Sequence, residues 1–189
     1  LSCTDENLFY LRDIDNAIRL RSALNQKKTI LIIGAGYIGL EVASIARKRN
    51  LKVTIVDISN RVMGRSVSKY TSDFLYKKHQ AHGVKFEFDQ TIKDIDDFNN
   101  KKRVIFDNGK TIDADLILVG IGVTANTELA EKSGLECKNG IIVDENCRTS
   151  ESDIFAAGDC ANQYRKLYNY RQRLESVHNA TSHSKIISD

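Results

Sequence analysis

The sequence predicts an α/β chain in three layers, a parallel sheet carrying helices, with a β-meander where one crossover helix would be expected. Three observations carry this. An apolar strand run, Thr29-Ile30-Leu31-Ile32-Ile33, passes through Gly34-Ala35-Gly36-Tyr37-Ile38-Gly39 directly into an amphipathic helix. A second strand, Lys52 to Asp57, closes on a carboxylate about 20 residues beyond that turn. A further apolar run, Ala114-Asp115-Leu116-Ile117-Leu118-Val119, enters another glycine turn, Gly120-Ile121-Gly122.

The elements follow in order. Tyr10 to Gln26 has helical spacing of Leu11, Ile14, Ala17 or Ile18, and Leu24, with an acidic start at Asp13 or Asp15. Tyr37 to Asn50 is the helix of the glycine-turn unit. Ser66 to His82 keeps Val67, Tyr70 and Phe74 in helical register, Gly83 ends it, and Val84 to Phe88 alternates as a third strand. The rhythm then breaks. Thr91–Asp96, Arg103–Phe106 and Lys110–Ile112 are short strand candidates joined by an Asp107-Asn108-Gly109 hairpin turn, which gives the meander. After the Gly120 turn come a helix at about Thr127–Ser133, a strand Ile141–Val143, and an apolar strand from Asp153 that delivers Gly158-Asp159 into a turn.

Each residue of the first turn has a physical task. Gly34 permits the tight exit from the strand, Gly36 lets a pyrophosphate approach the backbone, and Gly39 lets helix pack on strand. The helix dipole and the freed amides at the helix start favour a diphosphate there, and Ala35 and Ile38 of the same turn join the candidate cofactor-binding residues. Asp57 would accept from the adenosine ribose hydroxyls and repel a 2′-phosphate, so NADH is favoured over NADPH. Arg61 and Arg65 lie beyond the strand and leave a second possibility open, since arginine also holds a 2′-phosphate; a diphosphate contact or solvation fits them better.

Bulk properties exclude several classes. The chain has 189 residues, of which 41% are hydrophobic, enough for a substantial core and incompatible with disorder. The net charge of +3 is small and its basic pairs are interleaved with acids, which argues against nucleic-acid binding. No run approaches the roughly 20 apolar residues of a membrane span. Cys3, Cys137, Cys147 and Cys160 form no CxxC, so neither a metal cluster nor a thiol–disulfide centre is expected, and they read as reduced cytoplasmic thiols. The four histidines, His79, His82, His178 and His183, read as surface residues.

Taken together, Gly34 to Glu41, Ala114-Asp115 before Gly120-Ile121-Gly122-Val123, Arg148-Thr149-Ser150, Ile154 to Ala161, and Arg173 to Ala180 resemble the pyridine nucleotide-disulfide oxidoreductase superfamily. The last segment is similar to that of ferredoxin reductases of the putidaredoxin and rubredoxin reductase type. The resemblance implies a Rossmann-like fold of the FAD/NAD(P)-binding type. It implies NADH at the Gly34 turn and Asp57, with Tyr37 as a gate over the ring, Glu41 near the carboxamide, and Gly120, Ile121 and Gly122 lining the nicotinamide end. It places Gly158 and Asp159 on the ribityl chain of FAD and the Val177 backbone beside the flavin ring.

The activity implied is hydride transfer from NADH to FAD and electron transfer to a ferredoxin- or rubredoxin-like protein, with no side-chain catalyst required. Members usually carry proline after the Gly-Ile-Gly-Val turn, whereas Thr124 stands here, and His178 replaces other residues found in relatives. The expected division is a connecting segment at 1–26, an NAD(H)-binding domain at 27–125, and a return segment with a partial FAD domain at 126–189. The chain therefore reads as an internal piece, inactive when isolated. Two other readings stay open: the disulfide-reductase or NADH-oxidase branch of the superfamily, and a non-catalytic NAD(H)-binding module.

Overall fold

The computed structural model describes residues 6–188; Cys3 and the other residues of the stretch 1–5 lie outside the described residues. The chain divides into two compact units, Leu1–Gly122 and Val123–Asp189.

In the first unit, β1 (Leu8–Tyr10), β2 (Thr29–Ile33), β3 (Lys52–Val56), β4 (Val84–Glu87) and β8 (Leu116–Val119) form one sheet in the order β1-β8-β2-β3-β4, with every pairing parallel. Side chains alternate across a strand, and both faces of this sheet are covered. Ile30, Ile32, Val53, Ile55, Leu116 and Leu118 pack with Leu20 and Leu24 of α1 (Ile14–Leu24) and with Leu40, Ala43 and Ala46 of α2 (Tyr37–Lys48). Leu75 and Tyr76 of α3 (Lys69–Ala81) join the same cluster. On the opposite face Leu31, Ile33, Val56 and Ile117 meet Val104, Phe106 and Ala114. Those last three come from the antiparallel meander of β5 (Ile92–Phe98), β6 (Lys101–Phe106) and β7 (Thr111–Ala114). The three-layer expectation is borne out, and double coverage explains why β2 reads as an unbroken apolar run.

Local chemistry sets the boundaries. Asp13 caps α1 by accepting from the Asn16 amide at 2.7 Å, so the helix begins after Asp13 and not at Tyr10. The residues before it instead form β1, which lies at the sheet edge against β8. Likewise Ser68 accepts from the Thr71 amide, and α3 starts three residues later than its periodicity suggests. The amino ends of β2 and β8 are tied together by side-chain bonds. Asp115 accepts from the Thr29 hydroxyl and amide, both at 2.8 Å, and from the Lys28 amide, while its own amide donates to Thr29 Oγ1 at 2.8 Å. Partial burial alone would raise the Asp115 pKa; the Thr29 and Lys28 hydrogen bonds and the Lys101 charge outweigh it and hold the carboxyl below its ordinary range.

The second unit contains α4 (Glu128–Lys132), β9 (Ile141–Val143), β10 (Ala161–Arg165), β11 (Tyr170–Arg173) and α5 (Val177–Ser188). The strands make a small sheet in the order β11-β10-β9, β10 pairing parallel with β9 and antiparallel with β11. The apolar stretch before Gly158 is not a ladder strand: its one pairing is an isolated bridge from Phe155 to Arg148, and the chain turns through a short 3₁₀ segment at Gly158–Cys160. The strand lies after the turn, in β10.

Candidate functional site

The carboxyl ends of β2, β3 and β8 bring together three of the sequence motifs. The sheet reverses its winding between β2 and β8, and open α/β sheets bind ligands at such a crevice. Here the Gly34 amide donates to Val56 O and the Gly120 amide to Ile33 O, each at 2.8 Å, so the two glycine turns lie side by side.

The glycines divide sharply by what a Cβ would meet. At Gly34, where φ is +110°, it would lie 2.4 Å from Gly120 O; at Gly39 it would lie 2.0 Å from Gly34 O. Both are packing glycines. At Gly36 φ is −83°, and a Cβ would meet nothing within 4 Å. Gly36 is the N-cap of α2, and no side chain caps that end. An uncapped helix start beneath open space suits an anion.

Asp57 is held ready beside it. One carboxylate oxygen accepts from the Ala35 amide at 2.6 Å and the other from the Ser59 amide at 2.7 Å. A carboxylate oxygen has two lone-pair directions, so both retain capacity for an outside hydroxyl. The two predicted arginines part company. Arg61 donates to Gly64 O at 2.6 Å and Val67 O at 3.1 Å and so is spent on the β3–α3 loop, whereas Arg65 is exposed. Residues that sequence reasoning missed complete the loop: the Met63 amide donates to Ala35 O at 2.9 Å, and the buried Ser72 hydroxyl donates to Val62 O at 2.6 Å. These act through backbone contacts and leave no motif.

Tyr37 is 63% exposed at the start of α2, and Glu41, also exposed, follows one turn later on the same side of the helix. Ile38 is half-buried behind them. Ile121 is 66% exposed between Gly120 and Gly122, the latter left-handed with φ of +115°. All of these belong to the first unit.

In the second unit Gly158 is buried and left-handed, with φ of +75°. Asp159 projects an exposed carboxylate, while its backbone oxygen accepts from Arg173 at 3.0 Å. Val177, at the first turn of α5, is 85% exposed. His178 lies on the surface as expected, but His183 does not: it is 1% exposed, because α5 turns it under the Gly158 turn. Burial raises the Cys147 thiol pKa, with Asp144 adding to it, and burial followed by the Glu131 charge does the same at Cys137. Neither is an activated thiolate. No helix among the described residues is long and apolar enough to cross a membrane.

Comparison with known proteins places the fold in one family. The family model described as pyridine nucleotide-disulphide oxidoreductase matches residues 2–184. The ferredoxin–NAD(+) reductase component of 3-phenylpropionate/cinnamic acid dioxygenase from Photorhabdus laumondii is 38% identical over 181 residues, which cover 96% of this chain and 46% of that protein. Among solved structures, the ferredoxin reductase for the CYP199A2 system of Rhodopseudomonas palustris superposes with a TM-score of 0.92 at 36% identity, covering 95% of this chain and 45% of the other. Putidaredoxin reductase, crystallised in covalent complex with putidaredoxin, gives 0.91 at 36% identity, covering 97% and 45%. The chain spans less than half the length of each of these relatives.

Proposed function

Because the chain belongs to the pyridine nucleotide-disulphide oxidoreductase family, we propose that it is the NADH-binding part of a flavoprotein reductase, together with part of that reductase's FAD site. The expected NAD(H)-binding domain is 27–125 and the expected FAD portion lies within 126–189. The observation that carries this reading is the contrast at the turn. Gly34 and Gly39 are filled by the protein's own backbone, while Gly36 faces open space over an uncapped helix.

The residues fit the group. The amides at Gly36 to Ile38 would take the diphosphate, and Asp57, already aligned by Ala35 and Ser59, would accept from the ribose hydroxyls. Its negative charge disfavours a 2′-phosphate, so NADH is the preferred nucleotide. Arg65 is free of the loop contacts that occupy Arg61 and can meet a phosphate at the rim. Tyr37 and Glu41 would stand over the nicotinamide, with Gly120, Ile121 and Gly122 forming the floor. On the second unit the exposed Asp159 carboxylate, after Gly158, is suited to accept from ribityl hydroxyls of FAD, with the Val177 backbone beside the ring.

When bound, NADH supplies a hydride and FAD accepts it, and the electrons leave singly for a one-electron carrier. The protein's part is orientation and electrostatics, and no side chain is assigned as acid, base or nucleophile. The electron acceptor of the whole reductase is a ferredoxin- or rubredoxin-like protein, a reading supported by relatives that are named as ferredoxin reductases.

Calorimetric titration of the purified chain with NADH and with NADPH tests the reading, with a visible spectrum of the same sample to score bound flavin. NADH should bind more tightly than NADPH, and Asp57→Ala should erase the difference. Tighter binding of NADPH, or binding of neither, would overturn it.

A further inference from the structure

The imidazole of His183 is 1% exposed and bonded through both ring nitrogens. Nδ1 faces the Gly158 amide at 3.1 Å, and Nε2 faces Gln163 Oε1 at 3.2 Å. A backbone N–H can only donate, so Nδ1 must carry the lone pair and Nε2 the proton. The far end of the chain of bonds agrees. Gln163 uses its amide nitrogen on Glu145 O at 3.1 Å, which turns its carbonyl oxygen toward the histidine. Every link therefore has one direction, and only the neutral Nε2–H tautomer satisfies all of them.

We propose that His183 is a positioning residue for the Gly158–Asp159 turn, which it holds through the Gly158 amide while neutral and releases on protonation. A proton on Nδ1 would set two donors face to face, in a pocket where neither can turn to water. The ionisable groups around it do not rescue the cation. From β10, Arg165 brings a positive charge and is itself bonded to Asn179 of α5. The Cys147 thiol, which receives a weak hydrogen bond from Gln163, stays protonated, Glu145 offers only its backbone carbonyl, and Asp159 points its carboxylate outward. Burial first, and Arg165 second, hold the imidazole below its ordinary pKa, so the turn is locked at neutral pH and loosens in acid.

The consequence for flavin rests on the reading of Asp159 given above, since a loosened Gly158 would no longer aim that carboxylate. The device itself can be tested without flavin. Long-range ¹H–¹⁵N spectra of the labelled chain at pH 7.5 should show His183 as the Nε2–H tautomer. On acidification the Gly158 amide should shift with the same midpoint as the His183 ring.

Hydrogen exchange supplies the second readout. In His183→Gln, whose carbonyl can accept from Gly158 but cannot titrate, the amide should stay protected and the pH step vanish. In His183→Phe, similar in size but without an acceptor, Gly158 exchange should quicken at least about tenfold, the equivalent of roughly 1.4 kcal/mol. An Nδ1–H tautomer, a Gly158 amide indifferent to His183 titration, or equal protection in the Gln and Phe variants would overturn the proposal. Failure of the flavin reading alone would leave all three results standing.

Discussion

Replacing Gly34, Gly36 and Gly39 by alanine, one at a time, adds the same methyl group at three points within one turn, yet the structure assigns the variants opposite fates. At Gly39 the new Cβ would lie 2.0 Å from Gly34 O, and at Gly34 it would lie 2.4 Å from Gly120 O in a left-handed conformation. Backbone oxygens cannot swing aside, so helix must move off strand; overpacking of this kind costs about 1–3 kcal/mol, and the depth of overlap points to the upper end. At roughly 2–4 °C per kcal/mol for a chain of this length, the melting temperature should fall by about 6 °C or more.

Gly36→Ala differs. Its backbone is in a region open to any residue, and its Cβ meets nothing. Loss of a good N-cap residue costs roughly 1 kcal/mol, and the stiffer unfolded chain returns about 0.4–1 kcal/mol. Stability should therefore change by less than about 1 kcal/mol. On the proposed reading the methyl group would occupy the diphosphate's space, so NADH affinity should fall at least about tenfold, or 1.4 kcal/mol. Thermal denaturation by circular dichroism and calorimetry with NADH read the two quantities separately. A Gly36→Ala protein that keeps its NADH affinity within about twofold would refute the assignment of that space to the nucleotide.

Three further outcomes follow from the same geometry. Asp115→Ala strands the Thr29 hydroxyl and two amides, and should destabilise the first unit by about 1–3 kcal/mol in a urea titration. Because the Asp115 pKa is depressed in the folded state, its contribution is present above its ordinary value of 3.8 and is lost as pH falls through the folded value; the penalty of the variant should therefore shrink in acid. Arg61→Gln removes two bonds to loop carbonyls and should speed hydrogen exchange across 61–67, while Arg65→Gln leaves exchange there unchanged and weakens only nucleotide binding. Asp57→Asn should narrow the NADH-to-NADPH affinity ratio at constant melting temperature to within a few degrees, read by paired titrations.

What could be read in the residues, and what could not, follows from where each signal originates. β2 was legible because burial on both faces makes every position apolar, and the Gly34 turn because backbone crowding admits no other residue at two of its three glycines. The meander showed itself through alternation and Asn108-Gly109. β1 did not: three residues in a parallel edge pairing carry no period, and the helical spacing that begins at Tyr10 overlaps them. The β10–β11 hairpin is built almost wholly of polar and aromatic residues, including the buried Asn162 and Gln163, so no apolar alternation marks it. His183 reads as a surface residue in the sequence, since its burial comes from a turn 25 positions away. Within the site, Ser59 and Met63 contribute through backbone amides, which any residue type supplies.

Mapping NADH onto the ¹⁵N-labelled chain by amide chemical shifts tests the central claim most directly. The account predicts saturable shifts at 34–39, 57–59 and 120–122, the three strand ends that the parallel sheet brings side by side. Shifts confined to other parts of the chain, or none at NADH concentrations well above millimolar, would contradict it.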